Sequence, residues 1–278
     1  MMEIYCTTHK ENDYLNQFYP NIKIVGCGIE NTPANWLNAK LGDSINNNHY
    51  CYGDLVGQYW VWKNIIINEL QKNKLIGFCQ YRRYWLNSEL NNKKNYYFSD
   101  LKEIILLKAP PGFEKYESFI ASPFYFKRKF KDYLCDFNIF KLKISLKEQF
   151  IKTLGPNGFE IILSMLDNLN KKTKKEFLSY IENKNYLSPH NMYISTPKIL
   201  DNFFNIIFPW YKSCESIVSK ISNKMLIEQP RFFSWFNERF ADFWFSSYTR
   251  SLSWPVGMFL ENNNEIIQIG KIKKHINV

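Results

Sequence analysis

The chain has 278 residues, 45% hydrophobic and 22% charged, with 36 Lys and Arg against 26 Asp and Glu for a net charge of +10. This balance excludes disorder, collagen-like repeats and low-complexity architectures, and it leaves enough apolar residues for a core in one large domain or two modest ones. Aromatic side chains make up 18% of the chain, and a basic, aromatic protein suits nucleic acid, a sugar nucleotide or an anionic membrane surface.

In chain order, the β-branched and aromatic run Glu3 to Thr8 predicts a strand followed by polar Thr8, His9 and Lys10, and Ile22 to Val25 predicts a second strand closed by Gly26. From Leu55 the positions Leu55, Tyr59, Trp62, Ile66 and Leu70 recur at helical spacing, with Asp54 where a helix amino terminus favours a carboxylate. Leu75 to Cys79 is a compact apolar strand running into Gln80, Tyr81, Arg82, Arg83 and Tyr84. Strand, loop, helix, strand implies an α/β sheet with functional loops at the strand ends. After a polar break at Asn91 to Asn95, Phe119 to Ala121 reads as a strand and Phe124 to Lys131 as a basic aromatic stretch. Phe159, Ile162, Leu163, Leu166 and Leu169, then Phe177, Leu178 and Ile181, mark two amphipathic helices. These make 125–186 a helical insertion between a nucleotide-binding part, 1–124, and an acceptor-side part, 187–278. The chain returns to the sheet at Met192 to Ser195. Cys214, Ile217, Val218, Ile221 and Met225 predict a further helix, and Phe232 to Tyr248 an aromatic one with Phe236, Phe240, Phe243 and Trp244 on one stripe.

The absences narrow the chemistry. There is no GxGxxG or GxxxxGK[ST] loop, no His pair at metal-ligand spacing and no nucleic-acid-binding motif, so no nucleic-acid partner is expected. The six cysteines, at 6, 27, 51, 79, 135 and 214, include no close pair and are expected to be reduced and mostly buried. Met1 to Lys10 lacks the pattern of a signal peptide, and no apolar run approaches the roughly 20 residues that span a bilayer, so a cytoplasmic location is expected. The abundance of Asn, Lys and Ile is also what an AT-rich genome imposes, which would raise the charge without functional cause.

Three segments can carry chemistry. In residues 74 to 85, two adjacent arginines end a buried strand, and guanidinium groups suit bidentate contact with phosphate. The alternative pairs one arginine with a carboxylate and leaves the other solvated. In residues 235 to 245, Glu238 and Asp242 lie four apart on an aromatic helix, where burial would raise a base's pKa; a surface ion pair is the equal alternative. In residues 187 to 194, His190 and Asn191 precede a strand, more often a turn than a site.

The segments GDSI, YGDLVGQYWVWKN and LIGFCQYRRYW, between Gly42 and Trp85, resemble a bacterial family of glycosyltransferases of capsular and exopolysaccharide loci, formerly a domain of unknown function. That family carries THK, GDNI, ELTGLYWIWKN, GLCHYRRYF, NMFI and FLAERL motifs. The matching positions are Thr8, His9 and Lys10; Gly42 and Asp43; Tyr59, Trp60, Trp62, Lys63 and Asn64; Tyr81 to Tyr84; Asn191 and Met192; and Glu238 and Arg239. Asp54 stands where the family has Glu, Val56 where it has Thr, and Gln80 where it has His, which leaves position 80 a hydrogen-bonding role only.

The resemblance implies a GT-A type enzyme: a Rossmann-like mixed sheet flanked by helices that moves a hexosyl group from a UDP-sugar, UDP-galactofuranose among the candidates, to a capsular or lipooligosaccharide acceptor. It implies Glu238 as catalytic base, with Asp54 and Asp242 in reserve. Arg82 and Arg83, with Lys10, would face the diphosphate, and Thr8, His9 and Asp43 the uridine or ribose. Gln80, Tyr81, His190, Asn191, Arg239 and Asp242 would line the sugar sites. A divalent Mn or Mg ion is usual in such enzymes, yet the chain has no Asp-x-Asp, so the arginines are expected to replace it. A glycan or lipid-linked acceptor and peripheral contact with the inner membrane complete the expected partners. The alternatives are a non-catalytic carbohydrate- or membrane-binding protein and, more weakly, an RNA-binding protein.

Overall fold

The structure is a computed structural model that describes residues 1–18, 20–92, 94–126, 144–220 and 231–274. It divides into two compact units, one of residues 1–122, 188–208 and 231–278, the other of 123–187 and 209–230.

The first unit is built on a mixed sheet. Strands β1 (Met2–Thr8), β2 (Ile22–Gly26), β3 (Leu37–Asn38) and β4 (Leu75–Gln80) run parallel in the order β3-β2-β1-β4. Beyond β4 lie β10 (Tyr193–Ser195), antiparallel to it, then β7 (Ser118–Ala121), β11 (Ser251–Trp254) and β14 (Lys273–Lys274). From the end of β4 a second arm turns through β5 (Arg83–Trp85) to β12 (Val256–Leu260), β13 (Glu265–Ile269) and β6 (Tyr96–Tyr97). The α/β mixed sheet expected from the sequence is therefore present. The second arm, β11 and β14 were not expected, because their runs are short and most pair with strands distant in the chain.

β4 reads Leu-Ile-Gly-Phe-Cys and is buried on both faces, as a central parallel strand must be. On one face Phe78 meets Tyr193 and Phe204, beneath α2 (Leu55–Asn64) and the first part of α6 (Pro197–Lys220), where Trp62 stacks on Phe208. On the other, Ile4, Cys6, Ile24, Cys79 and Ile194 join Phe18, Tyr84 and Trp254 in one hydrophobic cluster. Gly57 lets α2 approach β1, since a Cβ there would lie 2.6 Å from Thr7 Cγ2.

Helix α2 ends at Asn64 and passes into a 3₁₀ turn, Ile66–Glu69, so Ile66 and Leu70, expected within the helix, lie beyond its end. The helix predicted from Cys214 starts much earlier, at Pro197; its expected positions Ile221 and Met225 lie outside the described residues. Helix α7 (Phe232–Tyr248) carries no simple stripe: Asn237, Arg239 and Asp242 are buried along with its aromatics. Two short helices, α1 (His49–Tyr52) and α3 (Leu101–Ile104), complete the unit.

The second unit holds the strand pair β8 (Phe124–Tyr125) and β9 (Tyr186–Leu187), helices α4 (Leu146–Leu166) and α5 (Lys171–Asn183), and the later part of α6. Ser145 and Glu148 form a reciprocal cap on α4, and Asn170 caps α5 through the Thr173 amide. The basic stretch after Phe126 and Cys135 lie outside the described residues; the other five cysteines form no disulfide among the described residues, and all but Cys51 are buried. Among the described residues no helix is long and apolar enough to cross a membrane.

Candidate active site

The carboxyl ends of β1, β2 and β4 lie side by side, and the segments leaving them make the site. At the end of β1 the Thr8 hydroxyl accepts from the Lys10 amide at 3.1 Å and donates to the Lys10 carbonyl at 2.7 Å, while the Thr8 carbonyl accepts from the Cys27 amide at 2.8 Å. This tight turn presents His9 and Lys10. Tyr81, leaving β4, is their platform: the His9 ring meets it edge-on at 5.3 Å, Lys10 Nζ lies 5.9 Å from its centroid and the Arg82 guanidinium 5.0 Å. His49 of α1 lies 6.1 Å from the His9 ring and against Gly28, whose φ of 70° puts any added Cβ 3.0 Å from His49 Nδ1.

Cations predominate around the two imidazoles, with Asp54 acting on His49 in the other direction. Burial lowers the pKa of His9, and Arg231, His49, Lys10 and Arg82 push it down further; His49 is lowered by burial and by Arg231. Both imidazoles are therefore neutral near pH 7 and offer a donor or an acceptor among fixed cations. Arg231 was not anticipated. It sits before α7 with a φ of 65°, its amide donates to the Tyr50 carbonyl at 2.8 Å, and its stem packs over Gly53. No spacing in the sequence marks it, because its neighbours in space come from the first quarter of the chain.

Beside the cations lies a carboxylate network. Asp54 makes no cap bond to α2, contrary to the expectation of a helix-terminal role. Its carboxylate instead accepts from Gln80 Nε2 at 2.7 Å, from Asn191 Nδ2 at 3.3 Å and from the Ser234 hydroxyl. Gln80 also donates to the His190 carbonyl at 2.8 Å and accepts from Arg83 at 2.7 Å. Gln58 and Asn237 secure Asn191, at 2.8 and 2.9 Å, and the Tyr193 hydroxyl donates to Gln58. His190 and Asn191 have φ values of 81° and 49°, a left-handed turn that the network holds in place.

Glu238 faces this turn, accepting from the His190 amide. Burial raises the pKa of both Glu238 and Asp54. Arg239 lies 3.5 Å from the Glu238 carboxylate, with its guanidinium 3.8 Å over the Trp235 ring and bonded to the Trp235 carbonyl at 2.6 Å. Burial brings Arg239 down to about 10. His190 is held at about 3 by burial and then by Arg83, so it too is neutral.

The structure thus brings together Thr8, His9, Lys10, Tyr81 and Arg82 in one cluster and Asp54, Gln80, Arg83, His190, Asn191, Glu238 and Arg239 in another, joined through the Arg82-Arg83 pair. Asp242 is buried one helical turn beyond Glu238. Asp43 makes its contacts elsewhere: the Tyr59 hydroxyl donates to it at 2.9 Å, and Asn64 brackets its backbone at 3.2 and 2.9 Å. Among the described residues no group of three or more His, Cys, Asp or Glu is placed to hold a metal ion. The strand-end groups are guanidinium and ammonium, which do not fit a divalent cation.

The chain is thus a mixed α/β sheet flanked by helices, with cations and carboxylates gathered at its parallel strand ends. A structure of a bifunctional glycosyltransferase, WbbM, in its apo form, superposes with a TM-score of 0.64 at 16% identity, over 87% of this chain and 42% of that one. The chain thus spans less than half the length of that protein. Residues 3–249 match the family described as Domain of unknown function (DUF4422), and the chain belongs to that family. No curated protein matches the sequence.

Proposed function

We propose that the protein transfers a hexosyl group from a UDP-sugar to a hydroxyl of a growing capsular or lipooligosaccharide chain, on a GT-A type sheet. The observation that carries this reading is the grouping of Lys10, Arg82 and Arg231 around His9, whose pKa is lowered first by burial and then by these cations, set beside two carboxylates of raised pKa. Asp54 acts on Arg231 and His49, and Glu261 shares a cavity wall with Arg82, yet no salt bridge pairs Lys10, Arg82 or Arg231 among the described residues, and a diphosphate would supply the missing negative charge.

In the reaction the acceptor oxygen forms a bond to the anomeric carbon as the bond to the diphosphate oxygen breaks. The leaving UDP takes the electron pair, and its developing charge meets Arg82, Lys10 and Arg231. The acceptor proton passes to Glu238, whose half-buried position keeps it basic enough for the task. Asp54, saturated by three donors, positions Gln80 and through it Arg83. Fixed cations take the role that a Mn or Mg ion plays in related chemistry. The exposed Lys171, Lys172 and Lys175 of α5 suit contact with an anionic inner-membrane surface, where a lipid-linked acceptor would be presented on the cytoplasmic side.

Turnover of a UDP-hexose tests the reading. Activity that persists in EDTA and is lost in Arg82→Ala supports it. Strict dependence on manganese, or full activity in Arg82→Ala, contradicts it.

A further inference from the structure

The hairpin joining β12 to β13 lies after residue 249, where the family match ends. Its tip carries Glu261, Asn262 and Asn263, all exposed, and closes through the Asn263 amide to the Leu260 carbonyl at 3.2 Å. β12 is tied to the strand-end arginines: the Phe259 amide donates to the Arg82 carbonyl at 2.8 Å, and Met258 pairs with Arg83. Between hairpin and arginines is a cavity of about 260 Å³, lined among others by Arg82, Arg83, Met258, Glu261, Asn262 and Asn263.

Three features define what fits there. Its lining residues, an acidic Glu261, the amides Asn262 and Asn263, two arginines and the apolar Met258, Phe259 and Leu260, suit a ring with hydroxyls at its rim and C–H groups on its face. Arg83, one of the lining residues, keeps its Nε buried and without a hydrogen-bond partner, although its guanidinium donates to Gln80. The volume is below the roughly 300 Å³ at which sites for drug-sized ligands begin, room for one ring and not for an oligosaccharide.

Arg82 lines this cavity and also joins the cations over Tyr81. A diphosphate held by those cations would share Arg82 with the cavity, which puts the group bonded to it next to the cavity. We propose that the β12–β13 hairpin tip, with Arg83, is the subsite for the glycosyl ring of the donor, and that Glu261 and Asn262 select it. This rests on the UDP-sugar reading above.

Calorimetric titration in EDTA with UDP, UDP-glucose, UDP-galactose and UDP-galactofuranose separates the two. Wild type is expected to bind one UDP-sugar about 10-fold or more tightly than UDP. Asn262→Ala and Glu261→Gln, both at exposed positions, should each lose about 10-fold of that advantage while UDP affinity stays within about twofold. The subsite is overturned if the variants keep the advantage, if they weaken UDP equally, or if no UDP-sugar exceeds UDP in wild type. Failure of wild type to bind UDP at all overturns the underlying reading as well.

Discussion

Asp54→Asn conserves shape, and the hydrogen bonds around position 54 define its cost. The carboxylate accepts from Gln80 at 2.7 Å, from Asn191 at 3.3 Å and from the Ser234 hydroxyl. An amide keeps one acceptor atom and turns an NH2 toward a donor on the other side. Gln80 cannot relieve this by turning over, because its amide would then face Arg83 and its carbonyl that of His190, the partners it now holds at 2.7 and 2.8 Å. One buried unmade bond costs about 1–3 kcal/mol. Loss of the charge works the other way, since burial is the largest influence on Asp54 and disfavours its ionised form. A net loss of about 1–2 kcal/mol follows, which is roughly 2–8 °C in Tm for a chain of this size. In urea the midpoint should fall with an unchanged slope. Asp54→Ala, lacking both acceptor atoms, should cost about 2–4 kcal/mol. A Tm for Asp54→Asn equal to or above wild type would refute this reasoning, because burying the charge would then cost more than the network returns.

Glu238→Gln should bind UDP normally and lose transfer by about 100-fold or more, as measured by single-turnover kinetics. Because burial raises the Glu238 pKa above its ordinary value of 4.5, kcat/KM in wild type should fall on the acid side at a pH above 4.5, and a pH profile of residual activity in the variant should lack that limb. At the opposite edge of the sheet, Glu3 meets Lys23 at 2.9 Å and the buried Lys74 at 3.1 Å. Burial alone would raise the Glu3 pKa, but hydrogen bonds from Lys23, Tyr5 and Lys74 outweigh it and bring it down to about 2. A depressed carboxylate contributes stability that is present above its unfolded pKa and is lost as pH falls from about 4.5 toward 2. Glu3→Gln should cost about 2 kcal/mol at pH 7 in urea unfolding and flatten the stability curve in that acid window; an unchanged acid slope would sink the assignment.

The parallel half of the sheet was legible in the sequence for a physical reason: β1, β2 and β4 are buried runs that end in polar or glycine positions, and α2 follows with its apolar residues at helical spacing. THK and YRRY stood out as site candidates because the ends of parallel strands converge on one side of such a sheet, and Glu238 because it is a carboxylate on the aromatic helix α7. What the sequence hid depends on contacts distant in the chain. Asp54 looks like a helix cap until β4 brings Gln80 to it and α7 brings Ser234. Arg231 carries no local pattern, and its charge matters only because His9 and His49 lie beside it. The hairpin after β12 is short, and its Asn-rich tip reads as an ordinary turn until Arg82 and Arg83 are seen against it. Asp43 shows the converse: its motif is recognisable, yet Tyr59 and Asn64 account for its contacts.

The central claim is that fixed cations at the ends of β1 and β4 hold a nucleoside diphosphate. Isothermal titration of UDP in EDTA tests it most directly. Wild type should bind, while Arg82→Ala and Arg231→Ala should each weaken binding by roughly 10- to 100-fold, the loss of one charge-assisted contact of about 1.5–3 kcal/mol. UDP affinity that is unchanged in both variants, or that exists only when manganese is added, would contradict the account.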